Sequence, residues 1–183
     1  MDIRSNRRAQ KYSAREQALR LAWTVGKLLF RFSPRPLFGW RRTVLTIFGA
    51  QVGVHVNVYP SAEIYFPWNL VIGDWSSIGE QAYIYNLGKV SIGSKVTVSY
   101  RAHLCAGTHD VEQSDFPLRK PPIIIHDGAW ICTEAFIGPG VTVGESAVAG
   151  ARSVVVRDVP ARAVVVGNPA RIARFLTSEP VAQ

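Results

Sequence analysis

Residues 125–160 read IHDGAW ICTEAF IGPGVT VGESAV AGARSV VVRDVP, six hexapeptides in one unbroken frame. Each unit opens with an aliphatic residue, of which Ala149 is the smallest, and the fifth residue of each unit is Ala, Val or Ser. A period of six matches neither the 3.6-residue period of a helix nor the two-residue alternation of a strand. The stretch is therefore an internal repeat, and this repeat has to be interpreted before any local propensity.

The period predicts an all-β fold, a left-handed parallel β-helix of hexapeptide repeats. Three short strands would form one triangular coil, with the opening aliphatics pointing inward and the small fifth residues fitting tight corners. Successive coils would stack at about 4.8 Å, the usual spacing between strands. The frame recurs upstream with a slip of two residues at Lys89–Val90, and its openers there are Ile72, Ile78, Ile84, Ile92, Val98 and Leu104.

The frame is irregular in two places. Before residue 72, Phe48 and Val54 continue it, whereas Pro60 and Phe66 are poor openers. The later break is the polar segment THDVEQSDFPLRKPP at 108–122, whose three prolines predict that it loops out of the flat faces.

Three parts of the chain follow from this pattern. We expect a basic tail and helical cap at 1–47, and the β-helix at 48–166 with a protruding loop at 110–122. A C-terminal tail should occupy 167–183, beginning at the turn Gly-Asn-Pro.

Within the first part, residues 1–12 read as a floppy basic tail. Ser13 and Glu16 form a capping-box pattern that predicts the start of a helix. The prolines in Ser-Pro-Arg-Pro at 33–36 end that helix, and a second one is expected over Leu37–Ile47.

The net charge of +8 belongs to this N-terminal arm. Residues 1–42 hold eleven Lys and Arg against two Asp and Glu, whereas the rest of the chain holds ten against eleven. A nearly neutral repeat body does not favour nucleic-acid binding. Two interpretations of the arm remain open and compatible: a cap over the exposed end of the β-helix, or an amphipathic helix resting peripherally on an anionic membrane.

Other features of the sequence indicate a cytoplasmic chain. The start of the chain is too charged for a signal peptide, and the apolar stretch Leu19–Phe32 is interrupted by three basic residues. Cys105 and Cys132 each follow an inward aliphatic, which predicts free, buried or half-buried thiols.

Several motifs along nearly the whole chain resemble one family. They are FGWRRTVLTIFGA at 38–50, FPWNLVIGD at 66–74, IYNLG at 84–88, LCAGTHD at 104–110 and SVVVRDVPARAVVVGNPARIAR at 153–174. With them the chain resembles the hexapeptide-repeat acyltransferases, most closely the colanic-acid-type exopolysaccharide O-acetyltransferases, which are related to galactoside and maltose acetyltransferases. The resemblance implies acetyl-CoA as donor, a sugar hydroxyl as acceptor, and a homotrimer with active sites between subunits.

His109 is the candidate catalytic residue. Acetyl transfer to a hydroxyl needs a base for the alcohol proton, and an imidazole suits that role at neutral pH. By itself the residue could equally be an exposed loop histidine, but the resemblance places the family's catalytic base here. Asp110 would either orient the imidazole or cap the loop turn.

The acceptor side is predicted less directly. By resemblance Asn86 helps to position the substrate, although an asparagine at this slip in the frame could also be a left-handed corner residue. Tyr83 and Tyr85, on the same coil, would either stack on a sugar or be surface aromatics without that role.

The donor site is implied by the resemblance and by charge. The resemblance places Trp130 and Thr133 along the pantetheine arm, Ala151 as a source of backbone groups, and Arg157, Arg171 and Arg174 near the adenosine phosphates. Two guanidiniums close together at 171 and 174 suit an anionic ligand, or else form a solvated tail. Val156 stands where several relatives have a hydroxyl residue.

Two other classes of function remain open. The acceptor could be serine, an amino sugar or a xenobiotic, or the chain could be a non-catalytic or metal-binding scaffold. The γ-type carbonic anhydrases share this fold and bind zinc through three histidines. The four histidines here, His55, His103, His109 and His126, lack that family's close pair, so we expect no metal.

Overall fold

A computed structural model describes residues 3–8 and 11–177. Its helices are α1 (Ile3–Arg8), α2 (Ala14–Arg31) and α3 (Phe38–Ile47), with a short 3-10 turn at Pro67–Asn69. Its strands are β1 (Gln51–Val52), β2 (Asn57–Val58), β3 (Glu63–Ile64), β4 (Leu70–Ile72), β5 (Ser77–Ile78), β6 (Tyr83–Tyr85), β7 (Val90–Ile92), β8 (Thr97–Val98), β9 (His103–Cys105), β10 (Thr108–His109), β11 (Leu118–Arg119), β12 (Ile123–Ile125), β13 (Trp130–Ile131), β14 (Phe136–Ile137), β15 (Thr142–Val143), β16 (Val148–Ala149), β17 (Val154–Val155), β18 (Ala163–Val166) and β19 (Arg171–Phe175).

The predicted β-helix is confirmed, with three sheets forming the faces of a triangular prism. Face A contains β1, β4, β7, β12 and β15; face B contains β2, β5, β8, β13, β16, β18 and β19; face C contains β3, β6, β9, β14 and β17. Neighbouring strands on each face are parallel, except that β19 runs antiparallel to β18. The repeat openers from Ile72 onward lie inside the prism and are almost wholly buried.

Before residue 72 the predicted frame was wrong by two residues. The inward residues there are Val52, Val58 and Ile64, which pair with the openers of the next coil. Val54 is exposed and Phe48 caps the end of α3. The 3-10 turn Pro67–Asn69, at the corner between faces C and A, adds the two residues that shift the frame.

The same corner between faces C and A also holds the slip at Lys89–Val90 and the segment after β9. The parallel strands β4 and β7 pair residues twenty apart, as in Val71 with Ser91, whereas β12 and β15 pair residues eighteen apart, as in Ile124 with Thr142. A corner accepts extra residues more easily than a flat face, because its residues are not held in the hydrogen-bonded ladder.

The first coil is covered by α2 and α3. Val44 and Leu45 of α3 are buried against the coil, and the Trp23 indole of α2 donates to the Ile64 carbonyl at 3.0 Å. Ser13 caps α2 through the predicted capping box with Glu16. Such a cover shields the apolar core that a stacked repeat otherwise exposes at its end.

Three boundaries differ from the expectation. Residues 3–8, placed in a floppy tail, form the helix α1. The loop expected at 110–122 is largely a hairpin, since β10 and β11 pair at its base. The tail expected at 167–183 begins with the Gly-Asn-Pro turn and then returns as β19 on face B, while residues 178–183 lie outside the described part.

None of the helices in the described ranges has the length and apolar character needed to cross a bilayer.

Candidate active site

The hairpin of β10 and β11, here called the insert (residues 107–122), carries His109. It leaves the prism after β9, at the corner between faces C and A. Gly107 begins it in tight surroundings, where a Cβ atom would lie 2.8 Å from the Leu87 side chain. The insert is anchored to the helical cap, because the Lys120 ammonium lies 4.7 Å from the centre of the Tyr12 ring and 4.0 Å from the Glu16 carboxylate.

His109 is exposed, but its imidazole is oriented. Its Nδ1 atom lies 2.6 Å from the carbonyl oxygen of Phe116, across the hairpin. A carbonyl oxygen only accepts hydrogen bonds, so the proton of the neutral ring must sit on Nδ1. Nε2 then keeps its lone pair, and this tautomer is the one that can take a proton from a substrate at Nε2.

Asp110 does not perform this orientation. Its carboxylate accepts hydrogen bonds from Arg119 at 2.6 Å, Gln113 at 3.0 Å and the Glu112 amide at 3.1 Å. The hydrogen bond from Arg119, followed by those from Gln113 and Glu112, holds the pKa of Asp110 below its usual range. The carboxylate therefore caps the turn of the insert and links its two strands through Arg119. Of the two roles expected for Asp110, these contacts match capping of the turn.

Two contacts of the Phe116 carbonyl give no signal in the sequence. One is the bond from His109, and the other comes from the Asn6 amide of α1 at 2.7 Å. A backbone acceptor leaves no side-chain signature in the sequence, and Asn6 lies more than one hundred residues away. Only the folded chain brings these groups together.

Asn86 is wholly buried at the corner between faces C and A. Its Oδ1 accepts from the Phe66 amide at 2.8 Å, and its Nδ2 donates to the Phe66 carbonyl at 2.6 Å. The Asn86 side-chain amide thus supplies, where the coil turns, the pair of hydrogen bonds that a neighbouring backbone would otherwise make with Phe66. These contacts give Asn86 a structural role here, and its side chain does not line an open surface.

Tyr83 and Tyr85 lie on the outer surface of face C in an aromatic row. Tyr83 contacts His103 with ring centres 5.0 Å apart, and His103 contacts Phe136 at 5.2 Å. Tyr85 packs edge-on against Tyr65 at 4.9 Å. The row forms a broad, partly apolar surface that ends where the insert begins.

Burial shifts the pKa of one histidine in this row and of both cysteines. Burial lowers the pKa of His103, whose Nε2 is buried without a hydrogen-bond partner. Burial raises the pKa of the Cys105 and Cys132 thiols, both free and half-buried as predicted. A raised thiol pKa leaves little thiolate, so neither cysteine is prepared to act as a nucleophile.

Trp130 begins a row on the outer surface of face B. On successive strands of this face, Trp130 pairs with Val148 and Val148 pairs with Val164. Arg174, opposite Val164, ends the row. At the usual strand spacing this row is about 14 Å long. Trp130 is half exposed, and its indole donates to the Ser99 hydroxyl at 2.9 Å.

The other predicted donor-site residues divide between two corners. Thr133 and Ala151 are exposed on neighbouring coils where face B meets face C. Arg171 lies opposite Val166 at the end of face B. Arg157 is exposed between β17 and the bridge at Val159, at the corner that also carries the insert.

The predicted site residues therefore fall into two groups within one chain. His109 and the insert leave the corner between faces C and A, while Trp130 and Arg174 lie on face B, the side of the triangle opposite that corner. Within one chain the structure does not place these two groups of residues side by side.

The described part of the chain contains no group of three or more His, Cys, Asp or Glu side chains placed to hold a metal ion.

Two curated proteins are similar to this chain over most of its length. No protein-family model matches the chain. It is 39% identical over 156 residues to the Escherichia coli colanic acid biosynthesis acetyltransferase WcaF, covering 85% of this chain and 86% of that protein. The E. coli galactoside O-acetyltransferase is 31% identical over 140 residues, covering 73% and 68% of the two chains.

Among solved structures, a hexapeptide-repeat acetyltransferase from Vibrio cholerae in complex with acetyl-CoA has a TM-score of 0.84 and 27% identity. The match covers 92% of this chain and 93% of that one. Together with the prism and the sequence identity over most of its length, this makes the chain a member of the hexapeptide-repeat acetyltransferase family.

Proposed function

We propose that this protein transfers the acetyl group of acetyl-CoA to a hydroxyl of a sugar, in the assembly of colanic acid or a related exopolysaccharide, with His109 as general base. The observation that carries the proposal is the bond from His109 Nδ1 to the Phe116 carbonyl, which leaves Nε2 free to accept a proton. The relative named for colanic acid biosynthesis supports the class of acceptor. The V. cholerae complex supports acetyl-CoA as the donor.

The proposed reaction is a direct transfer. The acceptor hydroxyl gives its proton to His109 Nε2 as its oxygen bonds to the thioester carbonyl carbon. The C–S bond of the tetrahedral intermediate then breaks, and CoA leaves with the electron pair on sulfur. The imidazolium can return its proton to that thiolate, so the enzyme ends unchanged.

Face B offers suitable groups for acetyl-CoA. The exposed Trp130 indole and the neighbouring valines form an apolar strip, and Arg171 and Arg174 stand at its far end. Guanidinium groups recognise phosphate through paired hydrogen bonds. The order from apolar strip to cations matches a ligand with a pantetheine arm at one end and phosphates at the other.

We propose that the working assembly is a homotrimer in which the insert of one subunit meets face B of the next. The support is geometric, since His109 and Trp130 lie on opposite sides of a single prism. A cyclic arrangement of identical chains would join the two halves at three equivalent interfaces.

A mixing experiment tests the shared site. His109→Ala lacks the base, and the double variant R171E/R174E repels the cofactor phosphates, so each protein alone should be nearly inactive. Co-refolded in equal amounts, they should recover up to about one quarter of the wild-type activity, because one interface in four combines two intact halves. The control is a mixture of the same two proteins without refolding.

The absence of recovery after co-refolding, in trimers shown to contain both variants, would place both halves of the site in one chain. That result would contradict the shared site without contradicting the acetyl transfer.

The acceptor class is tested by CoA release from acetyl-CoA with a panel of acceptors. We expect release with neutral or nucleotide-linked hexoses and lipid-linked oligosaccharides to exceed release with serine at equal concentration, because a sugar ring can stack on the aromatic row of face C and serine cannot. Mass spectrometry should find an O-linked acetyl group. Preferential acetylation of an amine would contradict the proposal.

A further inference from the structure

The helix α2 has two apolar faces, and only one of them is covered. At about 100° per residue, Trp23, Gly26 and Phe30 point to the prism and are buried. The opposite side forms an outer face, whose members are Leu21, Val25, Leu28, Leu29 and, just after the helix, Phe32. These five side chains are exposed by between 53% and 78%.

The surroundings of the outer face are basic. At about 100° per residue, Arg15 lies along one edge of the outer face and Arg31 along the other edge, and both side chains are exposed. Residues 3–47 contain eleven Lys and Arg but a single acidic residue, Glu16. The Glu16 carboxylate is already occupied by Ser13 and lies 4.0 Å from Lys120.

The outer face continues onto α3 through Trp40, which is partly exposed and whose indole donates to the Leu29 carbonyl at 3.0 Å. A ring with one polar end held at the edge of an apolar surface is typical of residues at the boundary between water and lipid. The surface therefore combines an apolar centre, a bordering indole and flanking cations.

We propose that the outer face of α2 docks this protein on a membrane of anionic lipids. Leu21, Val25, Leu28 and Phe32 would enter the boundary between headgroups and acyl chains, while the arginines contact lipid phosphates. A second copy of the chain is a poorer occupant, because pairing two outer faces would bring two strongly basic arms together.

Docking would also fix the orientation of the insert relative to the lipid surface. The first turn of α2 contacts the insert through Glu16 and Lys120, and Tyr12 lies beneath the same ammonium. An acceptor carried on a membrane lipid would then meet the insert in a fixed orientation. The docking itself does not depend on the proposed acetyl transfer.

The test is co-sedimentation of the full chain with vesicles of phosphatidylglycerol and phosphatidylcholine in equal parts, compared with vesicles of phosphatidylcholine alone. We expect strong binding to the anionic vesicles and weak binding to the neutral ones. The double variant L21Q/L28Q should bind the anionic vesicles roughly tenfold less well or worse, because two apolar side chains no longer enter the boundary.

The matched control is V156Q/I172Q, which removes two comparably exposed aliphatic side chains at the other end of the prism. It should bind like the wild type. R15Q/R31Q keeps the apolar face and should also bind more weakly, so the proposal remains testable if L21Q/L28Q proves unstable. Melting temperatures establish that each variant is folded.

Binding of L21Q/L28Q equal to that of the wild type, or no binding of the wild type to anionic vesicles, would overturn the proposal. A smaller assembly for L21Q/L28Q in solution, with unchanged vesicle binding, would instead assign the outer face to contact between copies. Neither acetyl-CoA nor an acceptor is present in these assays, so their outcome is separate from that of the activity assays.

Discussion

His109→Ala should lower kcat for acetyl transfer by about a hundred- to ten-thousand-fold, the range that a general base contributes. The acceptor hydroxyl would have to lose its proton to water, which is neither oriented nor basic enough. The KM for acetyl-CoA should change little, because the His109 imidazole is proposed to act on the acceptor proton, whereas the proposed contacts to the cofactor come from Trp130, Arg171 and Arg174 on face B. Steady-state CoA release at saturating acceptor measures both quantities.

His126→Ala is the matched control for this loss. His126 is also exposed and lies at a corner of the same prism, outside the insert. Its removal should leave kcat within severalfold of the wild type. If His109→Ala behaved like this control, the imidazole on the insert would have no chemical role and another base would have to be found.

Arg41→Ala should lower the free energy of unfolding by at least about 3 kcal/mol. The Arg41 side chain is wholly buried in α3 and has four hydrogen-bond partners. It donates to the carbonyl of Val58 on β2, and to the Ser33 hydroxyl and the carbonyls of Pro34 and Arg35 between the helices. Removing it leaves the carbonyl of the buried Val58 without this donor and takes a wholly buried side chain out of the contact between α3 and the first coil, and that cost exceeds the value of an ordinary exposed contact.

Urea unfolding followed by circular dichroism, at one fixed protein concentration, measures this effect. Arg35→Ala is the control: its side chain is exposed, its ion pair with Glu80 spans 3.6 Å, and its loss should lower the free energy of unfolding far less than the loss of Arg41. The loss of free energy of unfolding for Arg41→Lys should fall between those two values. A lysine ammonium keeps the charge but cannot donate to all the acceptors that the planar guanidinium reaches. A loss for Arg41→Ala no larger than the control would mean that the cap is held by apolar packing alone.

Some of the fold follows from the amino-acid sequence alone. The openers from Ile72 onward have to face inward, because a six-residue period places them on flat faces and no other arrangement buries them together. The start of α2 is equally local, since Ser13 and Glu16 bond within one helical turn. The frame before residue 72 was misread because the two extra residues at the 3-10 turn resemble ordinary corner residues.

The candidate site was less predictable for the same kind of reason. His109 is visible as an imidazole in a polar segment, but its orienting partner is a backbone carbonyl that any residue could supply. Asn86 looked like a substrate contact by resemblance, whereas the fold uses both ends of its amide to close a corner. The outer face of α2 could not be separated from the covered one, because both are apolar in sequence.

Periodicity and charge in the sequence determined three things: the prism, the place where the insert leaves it, and the concentration of basic residues in the arm. These follow from repeated local patterns, whose physical consequence is the same wherever they occur in the chain. The tertiary structure decided the tautomer of His109, the separation of the insert from face B, and which side of α2 stays exposed. Those features depend on contacts between residues far apart in the chain, and no local pattern encodes them.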